Sequence, residues 1–580
     1  MNASRRIFLH ASVGLPLSAP SALALPSQTA SDFYLQLVKA NDARLPSIIA
    51  NVNAAQSRRT PVRRVASDVQ ALTAAFCARE SSYFQAAELI APLTKAAALF
   101  LSAQHPDGTI DSGNLQSPPD TGFVVETLGV ALAVLQKNAT SSLAPIKEQL
   151  KKILLAAGEP LVTGGIHTPN HRWVMCSALS RLHSLFPNPR YVRRIEDWLG
   201  EGIDLDADGH FAERSTGIYS QVSDAAFIAM ARFLARPALL EPVRKNLTMT
   251  MYFTHPNGDV ETVGSRRQDQ FLASSISRYY LEYRYLALRD RNAQFAGMVQ
   301  LMENRPNAST ELVGNLIFFL DDPLLREPLP YVELVPADYV RVFPRSAMAR
   351  IRRNHISATI HGGSDWPLGV ASGLASNPTF FTFRKGQAVL ESVRMAANFF
   401  SKGHFRSTGL QTNGNSYVLQ QRLEVPYYQP LAQRDRNARG QYQLSPAEDR
   451  FWSKLGFAKR RMSEVKTLHQ KITITETNGT FALAFDITGH NDVPVTVELC
   501  FRTGGQLTGI RRGTNSFLAE GMGAYRVGGD MIEFGPGRAA HQFINLDGAS
   551  YTAHRGSAKP TGECVYLTGY TPFRETITIR

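Results

Sequence analysis

The chain has 580 residues, 44% hydrophobic and 19% charged, a globular composition that excludes a disordered or fibrous protein and leaves room for two or more domains with sizeable cores. A formal net charge of +13 points to an anionic partner. That partner is nucleic acid, an anionic glycan or a membrane surface; the Lys and Arg residues are scattered with no run that would make a nucleic-acid-binding tail, so a diffuse basic surface or groove fits better.

The N-terminus reads as a targeting segment. Ser4-Arg5-Arg6-Ile7-Phe8-Leu9, a modest apolar stretch from His10 to Leu23, and Ala22-Leu23-Ala24 have the form of a bacterial twin-arginine signal covering residues 1–24, with cleavage after Ala24. No later stretch reaches the roughly 18 apolar residues of a membrane span. The expectation is an exported protein, periplasmic or secreted. Four cysteines, Cys77, Cys176, Cys500 and Cys564, form no metal-binding spacing. Cys500 and Cys564 lie in strand-like sequence, where they either pair in an oxidising compartment or act as small buried hydrophobes.

Residues 25–305 have helical periodicity. Apolar residues recur at helical spacing over Phe33–Val52, Val69–Phe76, Phe84–Ala103, Gly122–Leu135, Leu143–Ala157, His171–Leu185, Tyr191–Gly200, Tyr219–Ala235, Pro237–Tyr252 and Gln268–Leu288. Loops of Gly, Pro, Asn and Asp join them into hairpins. The hairpins share no clear repeat motif, which favours an incomplete α/α toroid over a standard solenoid. Residues 306–338, broken by Pro306, Pro323, Pro328, Pro330 and Pro336, read as a linker. Over 339–580 the period changes to two, with strands expected at Tyr339–Phe343, Ser357–His361, Thr379–Phe383, Lys471–Thr477, Thr480–Ile487, Val495–Phe501, Met531–Phe534, His541–Asn545 and Cys564–Thr568, and a long loop at Tyr427–Asp449. The fold class is therefore α+β and multidomain, with a toroid followed by an antiparallel β-sandwich. A cleft between them is a favoured place for a site.

Four polar loops open helices of the first domain. In the first, Asp120 of Pro118-Pro119-Asp120-Thr121-Gly122-Phe123 is the expected N-cap and a candidate contact to sugar hydroxyls. In the second, Asn170-His171-Arg172-Trp173 places an amide, an imidazole, a guanidinium and an indole at a helix start, with Asn170 as expected N-cap. That end of a helix favours anions. The residues equally suit a capped helix whose His and Trp fill a core. The third loop, Asp204 to Tyr219, carries Glu213, Arg214 and a Tyr able to act as acid and base if cations lie near it. Its start imitates a calcium loop, but the twelfth position is Ser215, so Asp208-Gly209 reads as a plain turn. The fourth, Thr254 to Asp269, carries Arg266 and Arg267, and arginine binds carboxylates and sulfates bidentately. In a toroid these loops gather at one mouth. From the β domain, His361-Gly362-Gly363-Ser364-Asp365-Trp366 and the stretch holding His404 and Arg406, read as one face of a strand, are candidates to close the cleft. No zinc or calcium set, nucleotide loop or nucleophile motif supplies a competing chemistry.

On Asn170-His171, Glu213-Arg214-Ser215 with Tyr219, and Pro119-Asp120-Thr121-Gly122-Phe123, the chain resembles the polysaccharide lyases that join an α/α toroid to an antiparallel β domain. These are the heparinase II/III, chondroitin AC and alginate lyase group, and the rhamnose–glucuronate lyases are a further point of similarity. The resemblance implies a carbon–oxygen lyase that cleaves a uronate-containing glycan by β-elimination without a cofactor. It assigns catalysis to Asn170, His171 and Tyr219, and substrate contact to Arg172, Trp173, Asp120, Glu213, Arg214, Arg267, His404 and Arg406. Two alternatives stay open. One is a glycoside hydrolase with its carboxyl pair drawn from Asp120, Asp208 and Glu213. The other is a non-catalytic glycan-binding protein.

Overall fold

The structure is a computed structural model and describes residues 30–56, 61–363, 377–447, 451–518, 521–542, 544 and 561–580. The twin-arginine segment and Ser364-Asp365-Trp366 lie outside these residues.

The helical part runs as α1 (Ala30–Ala54), α2 (Val62–Cys77), α3 (Ile90–Ala103), α4 (Pro118–Gln136), α5 (Ala144–Thr163), α6 (Pro169–Leu185), α7 (Pro189–Gly200), α8 (Tyr219–Phe233), α9 (Glu241–Phe253), α10 (Tyr280–Arg289), α11 (Ala293–Glu303) and two short helices, α12 (Ala308–Glu311) and α13 (Leu316–Asp321). Helices α2, α4, α6, α8 and α10 pack side by side as an inner row, and α3, α5 and α7 form an outer one, as expected for an α/α toroid. Within the inner row, α4 is apolar almost all round and buries Val124, Val125, Leu128, Val130, Leu132 and Leu135. It is long and apolar enough to cross a membrane, yet 72% of that stretch is buried in the toroid, as befits an inner helix.

Of the residues expected to link the domains, those up to Arg326 complete the toroid instead, and 327–337 run as irregular chain to the first strand. Leu312, Leu316, Ile317, Phe319 and Leu325 join the helical core. The Asp321 carboxylate takes Arg181 at 2.8 Å and Arg232 at 2.7 Å. Pro323 opens a 3-10 turn, whereas Pro328, Pro330 and Pro336 lie in the irregular chain before the first strand. The helix expected from Gln268 begins only at Ile276 as a 3-10 turn, and α11 went unpredicted.

A repeat does exist, though in the turns and not in the helices. His105-Pro106-Asp107-Gly108-Thr109-Ile110, Asp206-Ala207-Asp208-Gly209-His210-Phe211 and His255-Pro256-Asn257-Gly258-Asp259-Val260 each make the same small hairpin. It is closed by isolated bridges at Gln104↔Ile110, Leu205↔Phe211 and Thr254↔Val260. The glycine sits at φ +89°, +99° and +82° in turn. A Cβ at Gly209 would lie 2.8 Å from the Lys245 carbonyl oxygen of α9, and one at Gly108 would strike the Ala156 carbonyl of α5. The turn therefore needs glycine for its left-handed backbone and for close seating on the neighbouring helix pair.

Among the described residues the β part is a sandwich of two eight-stranded sheets, with a separate two-stranded one. Its core includes Phe381, Phe383, Val393, Leu419, Ile472, Phe481, Phe485, Val497 and Ile577. Strands at Met348–Arg353, Ala388–Ala397 and Ser416–Tyr428 were not foreseen, and the last continues into the expected Tyr427–Asp449 loop. Of the strand expected at His541–Asn545, the described residues His541, Gln542 and Ile544 are irregular. Cys500 and Cys564 stand opposite each other on paired antiparallel strands as free thiols.

The second and third of the repeated turns join the two parts. Ser346 donates its N–H to Asp208 at 2.9 Å. Arg384 and Arg502 reach Asp259 at 2.7 and 2.9 Å. Next to these, Glu261 is buried and accepts from Thr262 N–H, Val263 N–H, Thr382 Oγ1 and Arg350. Charge and hydrogen bonds hold the Arg384 and Arg350 edge of the sheet to the loop that continues to Arg267.

Candidate active site

Thr168, not Asn170, occupies the N-cap position of α6, and Pro169 takes the first helical position, where its missing N–H is no loss. Asn170 and His171 therefore lie inside the first turn. Successive helical residues turn by about 100°, so the four do not point one way: Asn170 reaches Glu213 and His171 meets His167, while Arg172 and Trp173 are both engaged with Asp204. Trp173 is fully buried, packs on Phe227 at 4.8 Å and donates its indole N–H to Asp204 at 2.9 Å. It has no surface on which a sugar could stack. Arg172 is paired with Asp204 at 2.9 Å and Glu201 at 3.3 Å. These two expected substrate contacts are structural.

The other loop residues converge. Asn170 is buried and donates Nδ2 to Glu213 Oε2 at 2.6 Å, with a weaker 3.3 Å bond to Thr168 Oγ1, while its Oδ1 has no partner. The other Glu213 oxygen takes the Arg267 guanidinium. Arg267 lies over the Tyr219 ring at 4.4 Å, and the Tyr219 hydroxyl accepts from Gln268 Nε2 at 2.7 Å. Asn170, Glu213, Arg267, Tyr219 and Gln268 thus form one connected cluster drawn from three loops. Asp269 braces it by accepting from Gly217 N–H at 3.0 Å and from Ser265, so the Tyr219 loop and the Arg267 loop move as one.

His171 borders this cluster. Its ring meets His167 edge-on at 4.6 Å, and its Nδ1 is buried without a partner. Burial first, then the His167 and Arg267 charges, push its pKa down to about 4, against the pull of Asp120. The imidazole is neutral near pH 7 and able to accept a proton. Asp120 is buried in the first turn of α4, but Ser117 is the cap. Burial acts to raise its pKa, yet hydrogen bonds from Asn114 and Ser117 and the Arg63 and His171 charges hold it below the usual carboxylate range. Arg63, 57 residues earlier in α2, supplies its ion pair and lies 4.4 Å over Phe123. Nothing local in the sequence announces Arg63. Gln268 and Asp269 adjoin an arginine already singled out and were within reach.

Arg214 leaves the cluster. Its backbone is left-handed at φ +48° and its guanidinium donates to the Arg345 carbonyl of the β domain at 3.0 Å. Neither His404 nor Arg406 lies in a named strand: His404 makes an isolated antiparallel bridge to Ala396, and Arg406 lies in irregular chain. Arg406 is buried and donates to the His404 carbonyl at 3.3 Å, and burial with the Arg394 charge draws its pKa down to about 9. Another β-domain imidazole, His361, comes close to the helical loops: its Nε2 lies 4.0 Å from where a Cβ on Gly264 would stand. Of the three carboxyl groups considered for hydrolysis, Asp120 and Glu213 are ion-paired and Asp208 is bonded to Ser346. Among the described residues no group of three His, Cys, Asp or Glu side chains is placed to hold a metal ion.

No family model matches this chain, and no curated protein matches it. Solved structures do. A chondroitin AC lyase of Streptomyces coelicolor A3 in complex with chondroitin sulphate superposes with a TM-score of 0.54 at 14% identity, over 97% of this chain and 80% of that one. A mutant of the same lyase gives 0.51 over the same shares, and a heparan sulfate lyase, HepC of Pedobacter heparinus, gives 0.47 at 10% identity over 89% and 75%. The chain has the polysaccharide lyase fold, an α/α toroid followed by an antiparallel β domain.

Proposed function

We propose that this protein is a polysaccharide lyase that cleaves a uronate-containing glycan by β-elimination. The observation that carries the reading is the single cluster of Asn170, Glu213, Arg267 and Tyr219 at the toroid mouth, with the neutral His171 beside it. Glu213 holds the Asn170 amide and the Arg267 guanidinium side by side; Arg267 keeps N–H groups to offer, and Asn170 gains one by giving up its long 3.3 Å bond to Thr168. A substrate carboxylate received there has its charge offset, which stabilises the enolate-like anion formed when C5 loses its proton. His171 or Tyr219 takes that proton. The electron pair forms the C4–C5 double bond as the C4–O bond breaks, and the Tyr219 O–H supplies a proton to the departing oxygen. Gln268, donating to that oxygen, orients the hydroxyl. No cofactor enters these steps. The signal-like N-terminus and the chain's positive charge suit an exported enzyme acting on a polyanion.

The test is a pair of variants assayed by the near-ultraviolet absorbance of the unsaturated product. Asn170→Ala and Tyr219→Phe should each lower kcat/KM by about 100-fold or more, Tyr219→Phe with thermal unfolding little changed and Asn170→Ala with a somewhat lower Tm, because the buried Glu213 carboxylate loses a donor. Near-normal activity in both overturns the assignment.

A further inference from the structure

A ribbon leaves the sandwich. Strands Ser416–Tyr428 and Met462–Thr477 pair along their length. Strand Thr480–Gly489 covers only Leu468–Thr477 on one side, and strand Gln411–Asn413 covers only Ser416–Val418 on the other. Among the described residues no strand flanks the outer part, Glu424–Tyr428 with Met462–Thr467, which extends about 17 Å at the usual rise per residue. Its tip is tied at the neck by Gln429 N–H donating to the Arg461 carbonyl at 2.8 Å.

The tip, residues 429–461, carries eight Lys and Arg against three Asp and Glu, so 33 of 580 residues supply +5 of the net +13. Arg434, Arg436, Arg439, Lys454, Lys459 and Arg461 are all exposed. At the neck Tyr427 is half exposed and meets Phe400 at 6.1 Å, an aromatic face of the kind sugar rings stack on. A short path of contacts leads back to the cleft. Thr408 N–H donates to the Gln420 carbonyl at 2.8 Å and Gly409 N–H to the Gly362 carbonyl at 3.1 Å, and Gly362 follows His361, which faces Gly264 of the Arg267 loop.

We propose that the ribbon tip is a second, non-catalytic binding site for a polyanionic glycan, which it grips through Arg434, Arg439 and Lys454 outside the cleft. That the glycan is also the substrate rests on the reading of the active site given above. Holding a long chain at the tip raises the concentration of its scissile bonds at the mouth, so the benefit is confined to polymers long enough to touch both places.

The experiment compares wild type with the Arg434→Glu/Arg439→Glu/Lys454→Glu variant and with its all-Gln counterpart, which guards against misfolding of the first. Binding is read by gel retardation in chondroitin sulfate and in alginate, in a Tyr219→Phe background, at low and high salt. The Glu variant should lose about fivefold in retardation or more at low salt, the Gln variant less, and the differences should vanish in high salt. On a polymer that wild type cleaves, KM should rise by a similar factor, with kcat and the KM for a tetrasaccharide unchanged. Unaltered retardation by both variants overturns the proposal, as does retardation lost equally at all salt concentrations. A wild type that dimerises through the tip, with a monomeric variant retarded as before, also overturns it and assigns the tip to a second copy. Retardation lost on mutation while wild type cleaves no uronate polymer upholds the tip site and sinks the lyase reading alone.

Discussion

Removing the Glu213 carboxylate should strike stability and catalysis together, because one side chain holds two of the groups assigned to the substrate carboxylate. In Glu213→Ala the Asn170 amide, in a residue 2% exposed, loses its 2.6 Å acceptor. An unsatisfied buried donor costs about 1–3 kcal/mol. Arg267 loses its ion-pair partner as well. Breaking a fully buried pair costs about 3–5 kcal/mol, but Arg267 is 21% exposed and water will screen much of that. A total of about 3 kcal/mol is expected, which for a domain of this size is a fall in Tm of about 6 °C. Freed of Glu213, Asn170 can rotate and Arg267 can slide from the Tyr219 ring, so kcat/KM should fall by about 100-fold or more. Glu213→Gln keeps an acceptor for Asn170 and should lose less than half as much stability. Calorimetry and initial-rate absorbance read the two effects. A Glu213→Ala protein with unchanged Tm and near-normal rate would refute the claim that this carboxylate organises the site.

Gly209→Ala should destabilise more than Gly202→Ala in chemical denaturation, since both glycines have positive φ but only Gly209 has a carbonyl against its missing Cβ. Oxidised glutathione should convert Cys500 and Cys564 into one intramolecular disulfide, because directly opposed residues of antiparallel strands have Cα separations a disulfide accepts. Thiol titration of the denatured protein should fall from four to two, and peptide mapping should find that pair. Stability should fall as pH drops from about 6.5 toward 4, because His171 and His210 have folded pKa values of about 4 and 3, both lowered chiefly by burial, so the unfolded chain takes up protons first. Denaturant melts across that range should show the loss, and His171→Gln should reduce it.

The site was legible where a short loop concentrates unlike chemistry. Asn170, His171, Glu213, Tyr219 and Arg267 each stood in a polar stretch opening a helix, and toroid geometry alone brings such stretches to one mouth. Reading Asn170-His171-Arg172-Trp173 as four site residues failed for a reason fixed by the helix, since four consecutive residues cannot face one way. Arg63 was beyond reach because its pairing with Asp120 is made by helix packing across 57 residues. The Pro-rich stretch that looked like a linker shows the limit of composition: proline marks ends of elements, and only the packing of Leu316, Phe319 and Leu325 reveals that the segment up to Arg326 belongs to the toroid. In the repeated turn just the glycine is constant, too thin a signal to see before the three bridges align it.

The most direct test of the central claim is to incubate the protein with a panel of uronate glycans in heavy-oxygen water, without added metal, and follow near-ultraviolet absorbance and product mass together. The account predicts that absorbance rises on at least one glycan and that the product takes up no oxygen from solvent. New reducing ends carrying solvent oxygen, with no rise in absorbance, would contradict it.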